Sequence, residues 1–236
     1  MNLRTFAATF ALLSAALLGG CATPIQRALN LPADYLATTK AKQGRMGVVM
    51  AELPKPDTAF PGADCLLCIG VANGVHSVLN KEVQAFSTAE LKTLPSDLAG
   101  LLKKQGLEVV LIDEPLKMDT LPDIAAVEGQ NKSRKNFSSF KAKHNIDKLL
   151  VVQFTALGVW RSYSAYIPTD VPRATAKGLA YIVDLNTQAL DWYLPLPFSQ
   201  AAAGNWNEPP KYPGLTNAYF QVLETTMDAI KKSLVP

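Results

Sequence analysis

Ser96-Asp97-Leu98-Ala99-Gly100-Leu101-Leu102-Lys103-Lys104-Gln105-Gly106-Leu107-Glu108-Val109-Val110-Leu111-Ile112 carries a helix, its stop signal and a strand in one unbroken run. Ser96 and Asp97 are residues whose short polar side chains cap a helix start. Leu98, Leu101 and Leu102 fall on one face at helical spacing, which predicts a helix to Gln105. Gly106 then stands where a helix ends in a left-handed residue. Leu107 to Ile112 is short, apolar and rich in branched residues, the pattern of a buried strand. The unit repeats downstream. Ser133 to His144 reads as a helix with Phe137, Phe140 and Lys141 at three- and four-residue spacing. Lys148-Leu149-Leu150-Val151-Val152-Gln153-Phe154 reads as a strand that continues past Trp160. Helix, turn, strand, helix, strand is the alternation of an α/β layer.

Outward from this centre, Arg45-Met46-Gly47-Val48-Val49-Met50 is a further buried strand. Leu53 to Gly62 is a loop by its content of Pro54, Pro56, Pro61 and Gly62. Cys65 to Gln84 predicts one helix or two short pieces, because Gly70, Asn73 and Gly74 weaken an otherwise helical stretch. After Trp160 the chain changes character. Ala174 to Leu185 is a long strand, Asn186-Thr187-Gln188 a turn favoured by Asp184 and Asn186, and Ala189 to Leu194 returns. A Pro- and Gly-rich excursion spans Pro195 to Gly214. Leu215 to Leu234 closes the chain as an amphipathic helix with Tyr219, Leu223, Met227 and Ile230 on its inner stripe. Lys231 and Lys232 sit where the helix dipole favours positive charge. The expected fold is α/β: a mixed sheet of about five strands with an appended antiparallel hairpin, helices packed on it and a terminal amphipathic helix, all within residues 45–236.

The amino terminus carries a different message. Arg4 precedes an apolar run from Phe6 to Leu18, and Gly19-Gly20 lead into Cys21. A helix of that length covers roughly 20 Å, short of the roughly 30 Å hydrocarbon core, so it reads as an export signal rather than a spanning helix. A cysteine directly after small residues resembles the lipobox of bacterial lipoproteins. The resemblance implies a signal peptide over 1–20, acylation of Cys21 and a lipidated tether over 21–44. Two or more acyl chains hold a protein firmly to a bilayer. Ala22, in place of an aspartate, resembles the sorting pattern of the Gram-negative outer membrane, with the body facing the periplasm.

Charge and side-chain chemistry exclude more than they assign. A net charge of +3 over 236 residues points to no nucleic-acid partner. Lys132-Ser133-Arg134-Lys135 is the densest basic patch and reads as a solvated helix start. Cys65-Leu66-Leu67-Cys68 admits three readings: a structural disulfide expected of an oxidising compartment, two buried free thiols, or a redox-active pair with a low-pKa thiolate at a helix start. Cys65, Cys68, His76 and His144 have the donor types of a zinc site, but the histidines stand on separate elements, so no metal or other cofactor is expected. With His76 and His144 the only histidines and no Gly-x-Ser-x-Gly, a serine hydrolase has no support. Catalytic residues are therefore none. Two aromatic loops remain, Trp160 to Pro168 and Asn205 to Tyr212. Trp160, Tyr163, Tyr166 and Trp206 are the types that dominate protein interfaces, and they equally suit packing on the domain's own core.

The element order and the hairpin Gly178-Leu179-Ala180-Tyr181-Ile182-Val183-Asp184-Leu185-Asn186-Thr187-Gln188-Ala189-Leu190-Asp191-Trp192 resemble the periplasmic α/β lipoproteins related to the TolB amino-terminal domain. The curli secretion lipoprotein and the peptidoglycan-synthase activator lipoproteins are similar members of that broad group. The likeness runs from Arg45 to the end, and the Cys65–Cys68 segment and the Pro195–Gly214 excursion depart from it. It implies a non-catalytic interaction or assembly module of the cell envelope, bound to the membrane by its lipid and to an envelope protein or to itself. A periplasmic thiol–disulfide oxidoreductase using Cys65 and Cys68 is the alternative. A lipid or small-ligand carrier is a third reading, and it predicts a large apolar cavity.

Overall fold

A computed structural model describes residues 26–41, 44–127 and 129–235. The elements follow as α1 (Tyr35–Ala41), β1 (Arg45–Met50), β2 (Asp57–Ala59), α2 (Leu66–Val75), α3 (Ser77–Gln84), α4 (Leu94–Lys104), β3 (Glu108–Leu111), α5 (Ser138–His144), β4 (Lys148–Trp160), β5 (Tyr163–Ser164), β6 (Ile167–Pro168), β7 (Arg173–Asp184), β8 (Leu190–Ala201) and α6 (Pro213–Ser233). One mixed sheet runs β3-β1-β4-β7-β8, with β2 pairing β4 beyond the end of β1. β3, β1 and β4 are parallel, whereas β7 and β8 add the long antiparallel hairpin. β5 and β6 form a separate small hairpin. The expected fold class is present.

Both faces of the parallel half are covered, which explains why its strands are apolar runs without alternation. On one face Val48, Leu150, Val152, Ile182 and Trp192 pack against Leu94, Leu98 and Leu102 of α4 and Tyr219, Val222 and Leu223 of α6. On the other, Val49, Leu149, Val151, Tyr181 and Val183 meet Phe137, Phe140 and Ile146. The stripe expected on the terminal helix is present, with Met227 only half-buried at the rim of the first core.

Local departures from the sequence reading have identifiable causes. α4 starts at Leu94 rather than at a Ser96 cap, because Pro95 in the first turn needs no hydrogen-bond partner and Leu94 is fully buried. Ser96 Oγ instead donates to the Thr93 carbonyl at 2.7 Å. α5 begins only at Ser138. Ser133 and Phe137 donate their N–H groups to the carbonyl and Oε1 of Gln188, at 2.9 and 2.8 Å, so the basic segment lies along the hairpin turn instead of coiling. β8 runs on through Pro195 and Pro197 to Ala201, into the stretch read as a loop. It is an edge strand, and the Tyr193 N–H points outward to Leu29, so positions 195 and 197 also face away from the sheet and lose no ladder bond.

Part of the stretch read as a tether is docked. Leu29 and Tyr193 exchange backbone hydrogen bonds at 2.8 and 3.1 Å across the outer edge of β8. α1 then buries Leu36 and Thr39, and the Tyr35 hydroxyl donates to Asp191 at 2.8 Å. Cys21 and the signal lie outside the described residues.

Candidate interaction surface

The sequence from Cys65 to Asn80 contains no Asp, Glu, Lys or Arg, and it folds into α2 and the start of α3. Cys65 is the N-cap of α2, with extended backbone, and its sulfur accepts the Cys68 N–H at 2.9 Å. The two cysteines are joined as a disulfide with their Cα atoms 4.9 Å apart, which ties the cap to the first turn. A bonded pair fits both the structural-disulfide and the redox-active readings and leaves out the free thiols.

Only a narrow stripe of α2 faces the body. Cys68 and Ala72, one turn apart, bury themselves against Phe60, Ala63 and Tyr163. The rest of the helix is open to solvent and, apart from Asn73, apolar. Leu66 is 92% exposed, Leu67 67% and Val75 71%, with Ile69, Val71 and Val78 also exposed. Gly70 and Gly74 meet nothing where a Cβ would stand. Apolar side chains at such exposure, contiguous over three turns, mark a surface built to be covered.

The β5–β6 hairpin extends this surface. Its strand start is stitched to the loop before α2 by Tyr163 N–H to Pro61 O at 2.7 Å and Ala165 N–H to Gly62 O at 3.0 Å. Gly62 is obligatory here: its φ is +88°, and a Cβ would lie 1.9 Å from the Tyr163 carbonyl oxygen. Tyr166 places its hydroxyl 3.6 Å from Cys65 Sγ, and Tyr166, Ile167 and Val171 are exposed beside the helix start.

Beneath α2, His76 forms the hinge to α3 and is buried. Its ring stacks on Phe60 at 5.2 Å and meets the edge of Trp206 at 6.1 Å. Nε2 lies 2.9 Å from the Tyr163 hydroxyl and 3.3 Å from Arg161 Nη1. Burial, and then the Arg161 charge, lower its pKa, so it stays neutral and accepts at Nε2. Arg161 in turn lies over the Trp206 ring at 5.2 Å. This cluster clamps the base of the helix.

Of the aromatic residues singled out in the sequence, Tyr166 alone is exposed on the surface around α2. Tyr163 is buried in the small core under it. Trp206 is half-buried between His76 and Tyr212, whose ring it stacks on at 6.3 Å. Trp160 stands on the sheet with Lys177 Nζ 3.6 Å above its ring centre. The exposed face of α2 was missed because an apolar run reads as core; the signal available was its lack of charge together with two glycines. His144 stacks on Phe140, on α5, apart from the cysteines. Among the described residues no group of three or more His, Cys, Asp or Glu side chains is placed to hold a metal, and no helix is long and apolar enough to cross a membrane.

No protein-family model matches the chain, and no curated protein is similar to it at a significant level. Solved structures do resemble it. A protein described as a neuraminyllactose-binding hemagglutinin homolog from Helicobacter pylori matches with 10% identity, 89% of this chain and 91% of that one covered, and a TM-score of 0.40. Lipoprotein GNA1162 from Neisseria meningitidis matches with 15% identity, 80% and 99% covered, and a TM-score of 0.29. A PelC dodecamer from Paraburkholderia phytofirmans matches with 9% identity, 85% and 95% covered, and a TM-score of 0.25. At these scores and identities the likenesses carry no functional argument.

Proposed function

We propose that this protein is an outer-membrane lipoprotein whose periplasmic α/β body serves as a non-catalytic docking module of the cell envelope. Cys21 carries the anchor, and α2 with the β5–β6 hairpin receives an envelope protein. The observation that carries this reading is the uncharged outer face of α2, exposed at Leu66, Leu67 and Val75 and braced by the Cys65–Cys68 disulfide. A rigid apolar helix already held in its bound shape binds without a large ordering cost. The resemblance to the TolB-related lipoproteins, read from the hairpin and element order, agrees with a scaffolding role. The test is crosslinking in intact cells with the Leu67→Glu/Val75→Glu chain. Loss of the crosslinked species, with an unchanged melting temperature, is expected. An unchanged crosslinking pattern would remove α2 as the docking face.

One observation favours a second reading. Cys65 is exposed at the N-cap of α2 and Cys68 is buried behind it. A reduced Cys65 thiolate there would be stabilised by the helix N-terminus. It would attack a substrate disulfide and expel one substrate thiolate, and Cys68 would then attack Cys65 in the mixed disulfide and expel the other, leaving the Cys65–Cys68 bond and a substrate dithiol. An insulin-reduction assay with the reduced protein decides between them: turnover abolished by Cys65→Ser establishes the oxidoreductase, and no turnover leaves the disulfide as a brace.

A further inference from the structure

The outer side of α2 has a relief that matches itself. Cys68 and Ala72 turn inward, so Gly70 and Gly74, each two residues on, stand about 200° around the helix at its outer crest. Neither has a positive φ that would call for glycine, and a Cβ at either would meet nothing within the molecule. Glycine weakens a helix, so two of them at an open crest serve something outside it. Leu67 and Val71 stand on one side of the crest, Ile69 and Asn73 on the other. The helix therefore carries two ridges with a shallow groove between them, floored by backbone. Nine exposed large apolar side chains lie here, six between Leu66 and Val78 and three in or beside the β5–β6 hairpin. At roughly 100 Å² each they offer roughly 900 Å², against the roughly 800 Å² per partner of a stable interface.

We propose that the occupant of this face is a second copy of the same chain, paired about a two-fold axis across α2; the pairing rests on the reading of α2 as the docking face. A two-fold contact sets one patch against itself, so the patch must hold both ridge and groove and must not repel its own image. Leu67 and Val71 of one copy enter the groove over Gly70 and Gly74 of the other, where the missing side chains let the helix axes come close. No Asp, Glu, Lys or Arg occurs from Cys65 to Asn80, so α2 brings no like charges together. The position of α2 also favours a neighbouring body over the anchoring leaflet. Gln26 bonds to Asn131, whose carbonyl accepts the Leu190 N–H, which places the leash at the turn end of the β7–β8 hairpin. α2 packs on Phe60 and Tyr163, just past Trp160 and its partner Arg173 at the other end. The two ends are roughly 30 Å apart along β7. Acylation of Cys21 would confine the copies to one leaflet and raise their effective concentration for each other.

The test is photo-crosslinking in intact cells that express two full-length copies with different carboxy-terminal tags, Val78 being replaced by benzoylphenylalanine in both. The expected result is an adduct of twice the chain mass that carries both tags. Gly70→Leu/Gly74→Leu should lower its yield at least about tenfold, as blocking the centre of an interface does. The melting temperature of that variant should hold or rise, since both positions are open and leucine favours helix. The variant adds apolar surface, so a contact driven by hydrophobic burial alone would gain yield rather than lose it. Absence of the two-tag adduct, or a yield that the leucines leave unchanged, would overturn the pairing. An adduct with a different protein or with lipid in its place would overturn it as well. If the adduct with a different protein is then lost in the Leu67→Glu/Val75→Glu chain, α2 remains a docking face for another partner, whereas no adduct of any kind removes both readings.

Discussion

Lys148 holds together three parts of the chain. Its Nζ lies 3.1 Å from Asp184 and 2.6 Å from Asp191, and Asp191 also accepts from Tyr35 of the docked amino-terminal segment. Burial alone would raise the Asp184 pKa, but the hydrogen bond from Lys148 and the N–H groups of Asn186 and Thr187 outweigh it and hold the carboxyl below its ordinary 3.8. Burial alone would lower Lys148, and its bonds to Asp191 and Asp184 outweigh that and hold it above 10.5. A depressed carboxylate stabilises the fold above its unfolded value, and that stability is lost as pH falls through the folded value. A raised amine stabilises below its unfolded value, and that stability is lost as pH rises through the folded one. Stability should therefore be flat between these limits and fall outside both. Lys148→Met should cost about 2 kcal/mol, less than a fully buried pair because the side chains retain some water, and should shallow the acid limb. Urea midpoints measured against pH check both. Tyr219 offers the converse case. Its hydroxyl is buried with no hydrogen-bond partner among the described residues, so Tyr219→Phe should leave the midpoint unchanged or raise it by about 1 kcal/mol. A loss larger than that would reveal a partner.

At the scale of elements, α2 and β8 make distinct predictions. The Cys65–Cys68 ring closes only a four-residue loop, so chain entropy assigns it about 2 kcal/mol at most. Cys65→Ser/Cys68→Ala should lower the melting temperature slightly yet release α2. Hydrogen exchange should speed up at Leu66 to Ala72 while the amides of β4 and β7 keep their protection; uniform acceleration would show that α2 is integral to the core. β8 is an edge strand guarded by Pro195 and Pro197 on its outward side and by Leu29 at Tyr193. Pro195→Val/Pro197→Val should expose two unpaired N–H groups and promote strand-to-strand association. Light scattering at rising concentration measures it, and a chain that stays dispersed would mean that other features already protect this edge.

For the molecule as a whole, Cys21→Ala should move the protein from the membrane to the soluble envelope fraction, and continued sedimentation with membranes would remove the anchor. The layer architecture was legible because it rests on local signals: Gly106, with its positive φ, separates α4 from β3 as its position implied, and Asp184 nucleates the hairpin turn through N–H groups two and three residues away. What was not legible depends on distant partners. Ser133 to Phe137 is drawn from helix into loop by Gln188, which no local pattern reveals. Two prolines conceal the second half of β8, because their tolerance depends on which side of the sheet is empty. Leu66, Leu67 and Ile69 are core-type side chains, and their exposure follows only from where Phe60 and Tyr163 stand.

The stitch between Leu29 and Tyr193 sets the length of the leash. By sequence a lipid on Cys21 would be separated from the body by more than twenty residues, enough slack to roam. With Gln26 already bonded to Asn131 at 3.1 Å, only the five Cα-to-Cα steps from Cys21 to Gln26 would separate an acyl group from the body. Fully drawn out, they span at most about 18 Å. An acylated Cys21 would hold the body close against its own leaflet, so any protein it captures must come to that surface.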